Sequence, residues 1–155
     1  MNSMVLHETI GAVIIKEESG FITALRWRPE VAQESQAAPS NPLLKNAAGQ
    51  LEEYFHGKRR MFDLPLELRG TDFQKSVWRA IAQIPYGKTC SYGSLARKLG
   101  TSPRPVGTAA GNNPIPILLP CHRVVGKGGT LGGYTGGEGV STKRRLLRLE
   151  GHSAF

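Results

Sequence analysis

The sequence predicts a mixed α/β (α+β) chain of two lobes, a small strand-and-helix lobe over residues 1–70 packed on a helical lobe over residues 71–155. Three observations predict it. Strand-like runs and one amphipathic helix occupy the first part of the chain, helix signals follow one another from Thr71 onward, and charge divides along the same line. Residues 1–70 carry 8 basic and 9 acidic side chains, whereas residues 71–155 carry 12 and 3, so all of the net +8 lies in the second lobe. A length of 155 residues fits one domain or two small ones, at roughly 150 residues per domain. The charge split fits a polyanion-binding lobe beside a neutral one. A solubilising basic surface would look the same.

In the first lobe, Thr9–Lys16 and Phe21–Trp27 are rich in Ile, Val, Phe and Thr, and the polar stretch Glu17–Gly20 between them reads as a hairpin turn. Pro29–Pro42 is a polar surface loop. Asn41-Pro42 opens a helix, since Asn caps and Pro suits the first helical position. Leu43, Leu44, Ala47, Ala48, Leu51, Tyr54 and Phe55 then recur at helical spacing. Gly57 ends that helix, and Lys58–Gly70 links the lobes, with Met61, Phe62, Leu64, Leu66 and Leu68 available to pack.

In the second lobe, Thr71 or Asp72 caps a helix carrying Phe73, Val77, Trp78, Ile81 and Ile84 on one stripe, stopped by Pro85-Tyr86-Gly87. Ser91 caps a short helix through Leu99, with Gly100 in the usual C-terminal position. Ser102-Pro103 begins another that runs to about Gly111. Two short helices around a tight Gly-containing turn make a helix-turn-helix. Prolines 114, 116 and 120 keep Asn113–Val125 from forming a long helix or a central strand. Eight of the 19 glycines fall between Gly126 and Gly139, a local loop without the frame of a phosphate-binding one. Ser141–Glu150 is a basic amphipathic helix, with Leu146, Leu147 and Leu149 inward and Lys143, Arg144, Arg145 and Arg148 mostly outward.

Several classes are excluded. The apolar runs are far too short to span a membrane. The N-terminus has neither the basic start nor the cleavage site of a secretory signal. Two cysteines, Cys90 and Cys121, make neither a disulfide framework nor a zinc site, so a reducing, cytoplasmic setting is expected. His7, His56 and His152 are scattered surface residues, and Trp27 and Trp78 are core.

The chemistry concentrates at Pro120-Cys121-His122-Arg123. A cysteine attacks as its thiolate, which a neighbouring imidazole or positive charge favours. Cys121 directly precedes both in a proline-constrained turn. Cys90 has no such neighbours and reads as a small core residue. The second helix of the pair, Val106-Gly107-Thr108-Ala109-Ala110-Gly111, lacks the Asn, Gln and Arg side chains of a major-groove reader. Small residues there suit either tight helix packing or close approach to a minor groove without sequence discrimination.

The run Asn113-Pro114-Ile115-Pro116-Ile117-Leu118-Leu119-Pro120-Cys121-His122-Arg123-Val124 resembles the active-site signature of the O6-alkylguanine-DNA alkyltransferases. Phe73-Gln74, Val77-Trp78, Ile84 to Thr89, Ser91-Tyr92, Leu95-Ala96, Arg104, Val106-Gly107, Leu146-Leu147 and Glu150-Gly151 are similar to that family in the right order. The resemblance covers residues 71–151 strongly and is weak before them, where it implies a ribonuclease-H-like lobe.

That resemblance implies DNA repair by irreversible, single-turnover transfer of an alkyl group from O6-alkylguanine to the protein's own cysteine. The implied partner is double-stranded DNA bound by a monomer, with no membrane, metal or cofactor. By position, Cys121 is the acceptor, His122 the base acting through a bound water, and Glu150 the group that orients the histidine. Asn113 ties the helix pair to the active-site turn. Tyr92 helps rotate the nucleotide and donates a proton to the base. Tyr134 and Thr135 form the far wall of the base pocket, and Val124 also contacts the base. Arg104 is the finger that fills the vacated stack, and Gly107 and Arg123 are DNA contacts. Lys75, Arg79, Lys88, Arg97, Lys98 and Lys127 are candidate phosphate contacts.

The sequence departs from the family pattern at Pro103 and Pro105, which flank Arg104 where alanines are common. A non-catalytic lesion-binding relative would lack the acceptor cysteine. A transcriptional helix-turn-helix module would present base-reading side chains.

Overall fold

The computed structural model describes residues 2–8, 10–28, 41–134, 136–137 and 139–155. The chain divides into two compact units, Met1–Leu68 and Arg69–Phe155. The expected loop from Pro29 to Ser40 lies outside the described residues, as do Thr9 and Thr135.

The first unit is an antiparallel meander of β1 (Asn2–Glu8), β2 (Gly11–Glu18) and β3 (Phe21–Arg28), followed by α1 (Pro42–Phe55). Strand β1 has no counterpart in the sequence reading: it is an edge strand in which only Leu6 is buried, so its alternation is faint. The hairpin turn is tighter than expected, because Glu17 and Glu18 stay in the strand and Ser19-Gly20 alone turn. The Glu17 carboxylate takes hydrogen bonds from Asn2 at 2.8 Å, the Gly20 N–H at 2.9 Å and Asn41 at 3.1 Å. Asn41 also caps α1, accepting from the Leu44 N–H. Helix α1 lies on β1 and β2 and buries Leu44, Ala47, Leu51 and Tyr54 completely. Each of the two leucines contributes roughly 1.5–3 kcal/mol. The linking segment pairs with β3 through Ile22 and Leu66, and its Met61 is 79% exposed rather than packed. Trp27 is half-buried.

The second unit carries α2 (Asp72–Ala82), α3 (Tyr92–Leu99), α4 (Pro103–Gly111) and α5 (Val140–Leu149). Thr71 caps α2 in a reciprocal box with Gln74, which satisfies two otherwise unpaired N–H groups. Ser91 caps α3, and Gly100 ends it at φ 69°, a left-handed conformation natural to glycine. Ser102 precedes α4 without a side-chain cap bond. Val106, Ala109 and Ala110 of α4 are buried, and the Trp78 indole N–H donates to the Ala109 carbonyl at 2.9 Å. The small residues therefore permit close packing on one face of α4, while Gly107, Thr108 and Gly111 line a cavity on another. Two-residue strands β4 (Cys90–Ser91) and β5 (Val124–Val125) pair in parallel, so the proline-rich run does end in a strand, though a minimal one. No helix among the described residues is long and apolar enough to cross a membrane.

Candidate active site

The cavity, of about 490 Å³, is lined by Tyr92, Pro103, Arg104, Gly107, Thr108, Ala110, Gly111, Cys121, Gly133 and Tyr134. Its size falls within the roughly 300–1,000 Å³ of small-molecule pockets. Of the residues expected at the site, Cys121, Tyr92, Tyr134, Arg104 and Gly107 come together here. Gly107 lies in van der Waals range of the Tyr92 ring, 3.9 Å from where a Cβ would stand.

Cys121 begins a single 3-10 turn, Cys121–Arg123, after Pro120. The chain reaches it from the end of α4 through a tight turn in which Ile117 has φ 75°, a costly conformation for a β-branched residue. Asn113 spans that turn, donating to the Leu119 carbonyl at 2.8 Å and accepting from the Ile115 N–H at 2.9 Å. Its amide also lies near enough to the Cys121 sulfur to favour the thiolate.

Local charge made Cys121 look activated, but burial decides its resting state. Loss of solvent pushes the thiol above its ordinary value, and the Asn113 amide and the Lys143 charge offset this only in part. At neutral pH the resting group is a thiol and needs a base. Tyr92 is held above the ordinary phenol range by burial first and by Cys121 second, so it stays a proton donor.

His122 is fully buried, and its Nε2 lies 2.7 Å from Glu150 Oε2. Its Nδ1 is buried with no hydrogen-bond partner among the described residues. A carboxylate accepts only, so Nε2 carries the proton and the Nδ1 lone pair is the basic site. Burial holds the imidazole below its ordinary value, with Glu150 pulling the other way. The ring is thus neutral and ready to accept a proton.

Glu150 holds more than the histidine. Its Oε1 accepts from Arg123 Nε at 2.9 Å, and its Oε2 from the other end of that guanidinium at 3.0 Å. The Gly87 N–H approaches Oε1 at 3.4 Å. Arg123 further donates to the Ile84 carbonyl at 2.7 Å and lies over the Tyr86 ring. The expectation that Arg123 contacts DNA is therefore corrected: it is 6% exposed, with its guanidinium committed inside the protein. Val124 also departs from expectation, because its side chain is wholly buried and does not line the cavity. Cys90 is half-buried rather than core.

Sequence reasoning missed Lys143, which it placed outward. It is fully buried, and Nζ donates to the carbonyls of Val124 at 2.7 Å and Gly133 at 3.1 Å. The spacing Lys143, Leu146, Leu147, Glu150 repeats at i, i+3, i+4, i+7, so the buried stripe itself contained the signal. No cluster of His, Cys, Asp and Glu able to hold a metal ion occurs among the described residues.

Arg104 is exposed in the first turn of α4, where Pro103 and Pro105 are accommodated. The model of the 6-O-methylguanine DNA methyltransferase DNA-binding domain matches residues 72–152, and that of the same family's ribonuclease-like domain matches residues 9–68. The chain belongs to the O6-methylguanine DNA methyltransferase family.

Among relatives in this family, the methylated-DNA–protein-cysteine methyltransferase of Mycobacterium tuberculosis is 43% identical over 145 residues, covering 91% of this chain and 87% of that one. The constitutive enzyme of Bacillus subtilis is 40% identical over 161 residues, covering 97% and 96%. The crystal structure of Mycobacterium tuberculosis OGT in complex with DNA superposes with a TM-score of 0.83 at 40% identity, covering 97% of this chain and 92% of that one. Family membership accords with the α+β architecture and with the helix pair in the second unit.

Proposed function

We propose that this protein repairs O6-alkylguanine in DNA by moving the alkyl group onto Cys121, once per molecule, after the damaged nucleotide has rotated out of the duplex. One observation carries the reading. Cys121 opens on a base-sized cavity, and the next residue is an imidazole braced by a buried carboxylate with its second nitrogen unpartnered.

In this reading His122 Nδ1 takes the Cys121 proton through a water, and Asn113 hydrogen-bonds the thiolate as it forms. The sulfur attacks the alkyl carbon in line, the S–C bond forms, and the C–O6 bond breaks with its electron pair passing to guanine. Tyr92 supplies a proton to the departing base and regains one from the imidazolium through solvent. The net change is a thiol and an alkylated guanine becoming a thioether and guanine. Because a thioether does not return its alkyl group, one molecule repairs one lesion.

The duplex partner is supported by the DNA complex of the Mycobacterium tuberculosis relative and by the excess positive charge of residues 71–155. A base inside a duplex is inaccessible, and extruding it costs a few kcal/mol, less for a damaged base that pairs poorly. Arg104 makes no hydrogen bond or ion pair through its guanidinium among the described residues and is exposed at the cavity rim, free to enter the vacated stack. The smooth outer face of α4 fits a minor groove read for shape rather than sequence.

The test is incubation with a duplex carrying one radiolabelled O6-methylguanine. Label should appear on the protein up to one methyl per chain and should be absent with Cys121→Ser. Label on Cys121→Ser, or none on the parent protein, overturns the proposal.

A further inference from the structure

Arg104 stands on the divide between two hollows of the second unit. One is the Cys121 cavity. The other, of about 610 Å³, lies between the start of α2 and α4, with Phe73, Gln74, Ser102 and Pro105 on its lining. Arg104 and Thr108 line both hollows, Pro103 only the first and Pro105 only the second. Arg104 is the one charged side chain on either lining, so no neighbour there steers its guanidinium. Its aim depends on the backbone that carries it. A proline at the first helical position is ordinary, but Pro105 stands third. In α2 and α3 the cap side chains of Thr71 and Ser91 accept from the third N–H of the helix, those of Gln74 and Ser94. In α4 that place belongs to Pro105, which has no N–H, and Ser102 makes no cap bond.

We propose that Pro105 is a positioning residue for nucleotide extrusion: it fixes the backbone under Arg104 and keeps the face beside it free of N–H groups, so that the guanidinium enters the duplex already aligned. The proposal rests on the extrusion reading above. Proline restricts the residue before it to a narrow range of φ and ψ, and Arg104 is that residue, held in helical conformation. The Thr108 hydroxyl donates to the Arg104 carbonyl at 3.2 Å, which pins the same peptide from the next turn. Of the first three residues of α4 only Arg104 has an N–H. A donor without a partner is costly once a groove has expelled its water, so the missing donors favour close approach. Pro105 is also exposed, and apolar side chains including proline press between base steps in minor-groove binders.

The experiment uses the full chain and duplexes with one O6-methylguanine, either fully paired or set in a bubble of mismatched bases that needs no opening. Single-turnover transfer is measured on both at saturating protein. In a Cys121→Ser background, where no transfer intervenes, a 2-aminopurine next to the lesion brightens as its neighbour leaves the stack. Pro105→Ala should slow transfer on the paired duplex about fivefold, and Pro105→Gly further, because each widens the set of conformations from which Arg104 starts. The brightening should fall in the same order, and the bubble duplex should abolish both differences in rate. Pro105→Ala also supplies the N–H that Ser102 lacks, so Tm should hold while transfer falls, unlike a general loss of structure. A Pro105→Ala protein that matches the parent on the paired duplex, or is slowed equally on both duplexes, overturns the proposal. Should the parent take no methyl while the brightening still depends on Pro105, the transfer reading fails and the role of Pro105 in extrusion stands.

Discussion

Replacing Glu150 by Gln changes almost no volume and removes one charge, which makes it a sharp probe of the buried network. The carboxylate accepts on both oxygens: Oε1 from Arg123 and Gly87, Oε2 from His122 and Arg123. An amide has one acceptor oxygen, so in either orientation its NH2 faces an N–H donor of Arg123. The buried guanidinium is then left uncompensated, and breaking a buried pair in this way costs about 3–5 kcal/mol. For a chain of this size that is a fall of roughly 6–20 °C in Tm. The chemistry suffers separately, because in either orientation His122 loses the charged acceptor that holds the proton on Nε2 and the lone pair on Nδ1, and in one orientation it faces the NH2 instead. A mispositioned general base should slow transfer by about 10²-fold or more. The assay is single-turnover transfer at saturating DNA, alongside a melt and a duplex-binding isotherm. Adding Arg123→Met removes the orphaned cation and should restore much of the Tm without restoring the rate. A Glu150→Gln protein transferring within about twofold of the parent would refute the account of the histidine. An unchanged Tm would refute the account of the arginine.

Other outcomes follow from the same geometry. His122 is held below its ordinary 6.5 by burial, so the unfolded chain takes up that proton first as pH falls. Its contribution is complete above about pH 6.5 and is lost as pH drops through the folded-state value; Tm should fall across that window and flatten in His122→Asn. Glu17 is held below its ordinary 4.5 by its hydrogen bonds from Asn2 and Gly20, so a second loss should begin only below that pH and vanish in Glu17→Gln. Thr71→Ala removes a reciprocal cap and should cost about 1 kcal/mol in a denaturant melt with transfer unaffected. Arg104→Ala should slow transfer while leaving Cys121 reactivity toward iodoacetamide unchanged; an altered iodoacetamide rate would show that Arg104 shapes the resting pocket instead.

The helix pair was legible because its determinants are local. Ser91 caps α3 and Gly100 stops it within one segment of chain, and both do so in the structure. Strand β1 was not legible, since an edge strand with one buried residue carries almost no alternation. The tight Cys121 turn could be read from its prolines, but the protonation of Cys121 could not. It depends on how much solvent the whole unit removes, and that outweighs the adjacent charges. Arg123 and Lys143 failed for a related reason. A basic residue reads as solvent-facing unless a tertiary partner is known, and their partners lie 27 and 19 residues away in sequence. Glu150 and Lys143 share the buried stripe of α5, so their burial was open to inference, although what they bind was not.

The central claim is that one sulfur receives the alkyl group. Mass spectrometry of the tryptic peptide ending at Arg123, after reaction with excess methylated duplex, tests it most directly. The account predicts a single added methyl on Cys121, none on Cys90, and no further loss of lesion once every chain carries one. A methyl on any other residue, or lesion removal continuing past one per chain, would contradict it.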